Sequence, residues 1–277
     1  MNEQTSGNEA SVWPFDIGIV GTGIVGTHQL TREAEEVIQR SKHTFVVASG
    51  YGITEYIESL CPRVTDLSYL YEPGLNRLPT YHRMAAEVVS AALVDTPVCL
   101  AVYGHPWVYC YPTTLINRAA GQLGLHVEVF AGVSAFDTLL VDLGTDIAHG
   151  GIQMYEATDL LLRQRPIQSD VTCVIWQPTV VGDPTCPTGP YASRQFEPLR
   201  DYLLRFYPHD HVVKLVTSKN HPLIRSSVVS LEVSDLATEL AGVPGVGTLY
   251  VPPVTERSVK DSELLDVMVS TGARDEA

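Results

Sequence analysis

What this sequence lacks narrows what it can be. Its five cysteines (Cys61, Cys99, Cys110, Cys173, Cys186) include no C-x-x-C pair and lie scattered, mostly in apolar stretches. That argues against a disulfide framework or a cysteine-rich zinc site and fits reduced core thiols, so no metal is expected. Clusters of Lys or Arg that could track a phosphate backbone are missing. Eighteen basic residues stand against 32 acidic ones, a formal charge of −14, which speaks against nucleic acid as a partner. Apolar runs such as "TPVCLAVYG" fall far short of the ~20 residues that cross a bilayer, so no membrane partner is expected. The opening "MNEQTSGNEASVWPF" has neither the basic start nor the apolar stretch of a secretory signal. Residues 1–14 read as a disordered arm of a cytoplasmic protein. Short internal repeats and low-complexity tracts are also missing.

What is present is a globular pattern: 45% apolar and 18% charged residues over 277 positions, enough for one large domain or two ordinary ones. Strand-like runs alternate with helical patterns: "DIGIVG", a helix from about Thr31, "HTFVVAS", a short helix near Glu55, a helix over 80–94, "VCLAVYG", a helix over 113–123, and "HVEVF". That alternation predicts a parallel α/β sheet covered by helices. Further on come "TCVIWQP", an amphipathic helix carrying Phe196, Leu199, Leu203 and Phe206, then "HVVKLV", "SSVVSLE" and "GTLYVPP". These shorter runs, separated by Pro-, Gly- and Ser-rich turns, predict a second, mixed sheet. The expected organisation is an arm over 1–14, an N-terminal α/β domain over 15–123, a C-terminal α/β domain over 124–255 and a short tail over 256–277, with the break near Gly121 to Gly124.

One stretch raises a question of its own. "DIGIVGTGIVGTHQLTREAEE" (16–36) places Gly21, Gly23 and Gly26 at the spacing G-x-G-x-x-G after an apolar strand. In a dinucleotide fold such glycines let the backbone approach a pyrophosphate, and an acid about 20 residues on holds the ribose. Here the second strand ends in Val47, Ala48, Ser49 and Gly50, with no acid, and Glu33, Glu35 and Glu36 fall too early, on the intervening helix. On these residues alone a tight strand-to-helix turn stands beside the dinucleotide cradle.

Three later segments decide the context. "AVYGHPWVY" (101–109), "FAGVSAFDTLLVDLG" (130–144) and "YEATDLLLR" (155–163) follow one another at spacings that resemble the tetrapyrrole methylase superfamily of S-adenosylmethionine-dependent methyltransferases. Within it they are most similar to the borosin-type peptide backbone α-N-methyltransferases. The likeness runs from about residue 15 to "GTLYVPP", ending at 253. It implies two α/β domains with the cofactor cleft between them, normally in a homodimer, and a first glycine loop beside the active site rather than on a pyrophosphate. The implied cofactor is S-adenosylmethionine, with His105, Val108 and Tyr109, Ser134 and Ala135, and Trp176, Gln177 and Pro252 as its binding residues. Trp107 departs from the pattern, since the related enzymes usually carry glycine there.

The same resemblance assigns catalysis to Tyr71, Arg77 and Tyr81, separated by six and four residues, with Tyr103 as a further active-site tyrosine. Those residue types suit the chemistry. An amide nitrogen is a poor nucleophile because its lone pair is delocalised into the carbonyl. Methylating it requires removal of the N–H proton, work for a tyrosine base, and stabilisation of the imidate oxygen, work for an arginine and a second phenol. Arg77 would also favour the phenolate of a neighbouring tyrosine. Structural readings stay open at this point: Tyr69 and Tyr71 alternate as in a strand, Arg77 could pair an acid such as Glu72, His105 could simply shape its turn, and Asp137, Asp142 and Glu156 read as helix-end and network residues.

Twenty-four residues follow Pro253, "VTERSVKDSELLDVMVSTGARDEA", room for a short helix without an apolar core peptide. The expectation is an N-methyltransferase acting in trans on a separate peptide amide or a small amide- or amine-bearing metabolite. Two alternatives are a tetrapyrrole C-methyltransferase, against which the acidic charge argues, and a non-catalytic, cofactor-binding regulatory domain.

Overall fold

The computed structural model describes residues 14–47, 50–148, 150–243 and 245–272. The expected arm over 1–14 lies outside the described residues but for Pro14. In chain order the elements are β1 (Ile17–Gly21), α1 (Arg32–Arg40), β2 (His43–Val47), α2 (Ile53–Leu60), β3 (Val64–Asp66), α3 (Arg77–Val94), β4 (Val98–Val102), α4 (Tyr111–Leu123), β5 (Val127–Phe130) and α5 (Ala135–Leu143). They continue with β6 (Ile152–Glu156), α6 (Ala157–Arg163), β7 (Thr172–Trp176), α7 (Glu197–Leu203), β8 (Val212–Thr217), β9 (Ser227–Glu232), α8 (Leu236–Ala241), β10 (Thr248–Val251) and α9 (Ser262–Gly272). The fold is α/β, built on two five-stranded sheets.

The first sheet runs β3-β2-β4-β1-β5, and each neighbouring strand pair is parallel. Its central strands, "IGIVG" and "VCLAV", are buried along their whole length, as strands covered on both faces must be. Alternation sorts their side chains. Ile17, Ile19, Val98, Leu100 and Val102 join Met84, Val88 and Ile116 of α3 and α4 in one core. Val20, Cys99 and Ala101 join Val37, Ile38, Ile53 and Ile57 of α1 and α2 in the other. Gly18 points to that second face, where an added Cβ would meet Val37 Cγ1 at 2.8 Å; its bare backbone is what lets α1 lie this close.

Local signals account for the helix ends. Thr31 caps α1 by accepting from Ala34 N at 3.1 Å, and Asn76 caps α3 by accepting from Leu78 N at 2.8 Å. The "YLY" stretch is not a strand: Leu67–Leu70 form a 3-10 turn, with Asp66 Oδ1 accepting from Ser68 N at 2.8 Å.

Two compact units emerge. Among the described residues, the first comprises those up to 145 with 182–191 and 216–229, and the second comprises those of 146–181, 192–215 and from 230 onward. The expected break at 121–124 is displaced because β5 pairs with β1, Ile17 opposite Val127. Gly124, with φ +73°, is the left-handed cap that ends α4 rather than a linker between domains. The second sheet, β6-β7-β10-β8-β9, is mixed as expected: β6 runs parallel to β7, and β10 antiparallel to it. Phe196, Leu199 and Leu203 are buried as the amphipathic pattern anticipates. Among the described residues no helix is long and apolar enough to cross a membrane.

Candidate active site

A parallel sheet presents all its strand ends on one edge, and the turns there are where open α/β sheets bind ligands. The first such turn, after β1, closes on itself. Ile24 N and Val25 N, amides that a dinucleotide cradle would aim at a pyrophosphate, both donate to Gln29 Oε1, at 2.7 and 2.9 Å. Gly23 is bridged to Gly104 by two backbone hydrogen bonds of 3.3 and 3.0 Å. A Cβ on Gly21 would stand 2.3 Å from Gly104 O and 2.9 Å from Gly132 Cα. The glycines therefore serve backbone contact between neighbouring turns, and the dinucleotide reading falls.

The turn after β4 is open. Tyr103 N donates to Val47 O at 2.9 Å, Gly104 takes φ +71°, and Tyr109 takes φ +55°. His105 Nδ1 accepts from Trp107 N at 3.0 Å, and its carbonyl accepts from Val108 N at 3.0 Å. The histidine thus shapes the turn. Trp107 and Tyr109 are 53% and 50% exposed, and Val108 is half-buried between them. Ser134 and Ala135 follow β5 on the same edge. The Ser134 hydroxyl accepts from Phe136 N and Asp137 N, and Asp137 bonds back to Ser134. Asp137 is thus a capping residue, Glu156 caps α6, and Asp142 accepts from Ser218 and Ser226, as helix-end and network residues would.

Tyr71 follows the 3-10 turn after β3, and Arg77 and Tyr81 open α3, one helical turn apart and so on one face. The Tyr71 and Tyr81 rings meet edge to face, centroids 6.3 Å apart, and Tyr81 meets Tyr111 at 6.2 Å. Burial is the main force pushing the Tyr71 phenol well above the ordinary tyrosine value, with Tyr81 and Cys110 adding to it. Desolvation also raises Tyr103. The expected lowering of a catalytic phenol by Arg77 is therefore not what Tyr71 experiences. Nor does Arg77 pair Glu72, which instead meets Arg83 at 3.4 Å.

Arg77 reaches a segment that sequence reasoning missed. Its Nη2 donates to Asp183 O at 2.7 Å and its Nε to Pro184 O at 3.4 Å, and Arg77 N donates to Pro184 O at 2.9 Å. Gly74 N bonds Cys186 O at 2.8 Å, and Cys186 N bonds Leu75 O at 3.0 Å. Residues 182–191, "GDPTCPTGPY", thus form a strap over the start of α3. Their Asp-x-Thr and repeated prolines signal a stiff turn, but nothing in them names the arginine they serve.

The remaining cofactor candidates belong to the second unit. Trp176 is buried at the end of β7, and Gln177 adopts φ +56°. Pro252 does not join them. The antiparallel register sets Thr248 opposite Trp176 and Val251 opposite Cys173, leaving Pro252 about 13 Å along the strand from Trp176. Its carbonyl accepts from His211 Nε2 at 3.0 Å. Among the described residues no group of three or more His, Cys, Asp or Glu is placed to hold a metal.

Comparison with known proteins sets this geometry in context. The chain is 29% identical over 252 residues to a methyltransferase/ribosomally synthesized cyclic peptide gymnopeptides precursor of Gymnopus fusipes, covering 90% of this chain and 59% of that protein. It therefore spans about three fifths of the length of this curated relative. Among solved structures, the methyltransferase CobJ superposes with a TM-score of 0.63 at 16% identity, covering 88% of this chain and 96% of that one. Uroporphyrin-III C-methyltransferase from Thermus thermophilus, complexed with S-adenosyl homocysteine, gives 0.59 at 16% identity, over 85% and 96%. A model of the tetrapyrrole (corrin/porphyrin) methylases matches residues 16–177. That match covers more than half of the sequence, and with it the chain belongs to the tetrapyrrole (corrin/porphyrin) methylase family.

Proposed function

We propose that this chain is an S-adenosylmethionine-dependent N-methyltransferase whose acceptor is a backbone amide of a separate peptide, or a related small amide or amine. The observation that carries the reading is the gathering of Tyr71, Tyr81 and Arg77 at the head of α3, on the sheet edge that also holds Tyr103. The peptide relative from Gymnopus fusipes supports the choice of acceptor.

The residues on that edge fit the cofactor. Gly21, Gly104 and Gly132 end or follow the three adjacent strands β1, β4 and β5, and their backbones touch, leaving a floor without side chains. Val108, Tyr109, Ser134 and Ala135 would hold the group over it, with His105 fixing the turn and the exposed Tyr109 and Trp107 rings offering faces to a cation or a purine. Trp176 and Gln177 are retained as candidates, and Pro252 is the least favoured. When bound, S-adenosylmethionine supplies an electrophilic methyl group.

The protein must supply a competent nucleophile. Tyr71 and Tyr103, whose phenols are pushed up by burial, remain protonated at neutral pH and are assigned as donors to the imidate oxygen. Arg77 adds a permanent charge at the start of the same helix that carries Tyr81. That leaves Tyr81, after it gives up its own phenolic proton to solvent, as the phenolate that accepts the N–H proton. All five cysteines are free, which supports a reducing, cytoplasmic setting, and the family resemblance supports a homodimer, which analytical ultracentrifugation would test.

The deciding experiment incubates purified protein and S-adenosylmethionine with candidate peptides and reads methylation by tandem mass spectrometry. Methyl groups on backbone nitrogens of added peptide are the expected result. Methylation of precorrins alone would replace this reading with a tetrapyrrole one, and cofactor binding without turnover on any acceptor would replace it with a regulatory one.

A further inference from the structure

We propose that Asp183 and Tyr191 are positioning residues that hold the Arg77 guanidinium in place without a direct carboxylate pair, so that it keeps donors for the acceptor; this rests on the amide-activation reading above. Two observations carry it. Arg77 is gripped by neutral acceptors, the backbone carbonyls of Asp183 and Pro184, which orient the guanidinium without cancelling its charge. Among the described residues Arg77 makes no ion pair.

A carboxylate that could neutralise it is close by, on the same residue whose carbonyl it grips, yet that carboxylate is engaged elsewhere. Asp183 Oδ1 accepts from Thr185 N and Thr185 Oγ1, both at 2.7 Å, and Oδ2 accepts from the Tyr191 hydroxyl. The Tyr191 bond closes the ends of the strap across eight residues and occupies the oxygen that Thr185 leaves open. A direct Arg–carboxylate pair would be the stronger contact in isolation, but it would compensate the charge that an imidate oxygen needs. Burial pushes Asp183 up, yet the hydrogen bonds from Tyr191 and Thr185 and the charge of Arg77 outweigh it, so the carboxyl stays ionised below its usual range. The anion is present at neutral pH and within reach of the arginine's charge, but its hydrogen bonds go to Thr185 and Tyr191 rather than to the guanidinium.

The consequence has a sign that a merely structural role does not share. Removing the Tyr191 hydroxyl frees Asp183 Oδ2 to pair with Arg77, and removing the Asp183 charge in that background undoes the harm. The test compares Tyr191→Phe, Asp183→Asn and the double variant in peptide methylation, with thermal melting as a check on folding. In Tyr191→Phe, kcat falls about tenfold, while KM for S-adenosylmethionine stays within about twofold of wild type. The double variant regains turnover over Tyr191→Phe alone, a coupling visible in the cycle. Tyr191→Phe turnover within about twofold of wild type, or a double variant at or below the single one, overturns the proposal.

A reading independent of methyl transfer is the titration of the Tyr191 ring by NMR on tyrosine-labelled protein. Desolvation first, then the hydrogen bond and charge of Asp183, push this phenol up to about 12. In Asp183→Asn it moves down toward the ordinary value, and an unchanged titration overturns the latch. A wild type that methylates no acceptor overturns the functional reading, and the latch then stands or falls on this titration.

Discussion

Two glycine turns on one sheet edge have opposite fates. The turn after β1 carries the recognisable motif, yet its amides are taken by Gln29 and its glycines face other backbone. The turn after β4 has a single glycine and no named spacing, yet it presents Trp107 and Tyr109 to the outside, each at least 50% exposed. A glycine motif reports only that the backbone needs room or a left-handed turn. Whether the room serves a ligand or another loop depends on what the side chains around the turn leave exposed, since backbone N–H groups of both turns find partners within the protein.

The strongest way to break the contrast is Gly21→Ala. Its Cβ would land 2.3 Å from Gly104 O, so the closed turn must separate from the open one. A stability loss of about 4 kcal/mol in denaturant unfolding is expected; a loss under about 1 kcal/mol would mean the turns are not interlocked as described. Next is Arg77→Ala, which acts on the open side. Turnover on peptide drops about a hundredfold, while calorimetry still detects S-adenosylmethionine binding. Near-normal turnover would return the arginine to a structural role.

Smaller still is Gln29→Ala, which leaves the Ile24 and Val25 amides without their acceptor. About 1–3 kcal/mol of stability is expected to go, with faster hydrogen exchange at those two amides. If those amides instead gained affinity for a dinucleotide, the closed turn would prove to be a masked cradle. The mildest test is alkaline pH. The folded-state pKa of Tyr71 lies above its unfolded value, chiefly through burial, so its contribution to stability is whole below about pH 10 and is lost as pH rises from there. Exchange at Ile24 and Val25, corrected for its intrinsic pH dependence, stays protected over the range where the Tyr71 environment loosens. Coincident loss of both would merge the two regions into one.

Much of the fold was legible because its causes are local. Thr31 caps a helix where a threonine precedes an acidic first turn, and the five buried residues of "VCLAV" form a central strand because no polar residue interrupts them. The run that becomes β5 reads as part of the first sheet, but the domain break beyond it was not legible, since a glycine that caps a helix and a glycine that separates domains look alike in one dimension. The candidate site divides the same way. Tyr71, Tyr81 and the 101–109 turn came from motif resemblance and do lie on one edge. Pro252 shared a motif with β10 but not a location, because strand direction, invisible in the motif, carried it away from Trp176.

By itself the sequence determined the alternation of strands and helices, the positions of caps and turns, and the family whose motifs run through its first two thirds. All of these depend on neighbours within about one or two turns of chain, where spacing and side-chain type are sufficient causes. Only the tertiary structure decided which turn stays open, which phenols are desolvated, and that Arg77 is held from 106 residues away by Asp183. Those outcomes turn on hydrogen bonds and burial between segments remote in sequence, and one-dimensional spacing does not encode which remote carbonyl an N–H will meet once the chain has closed on itself.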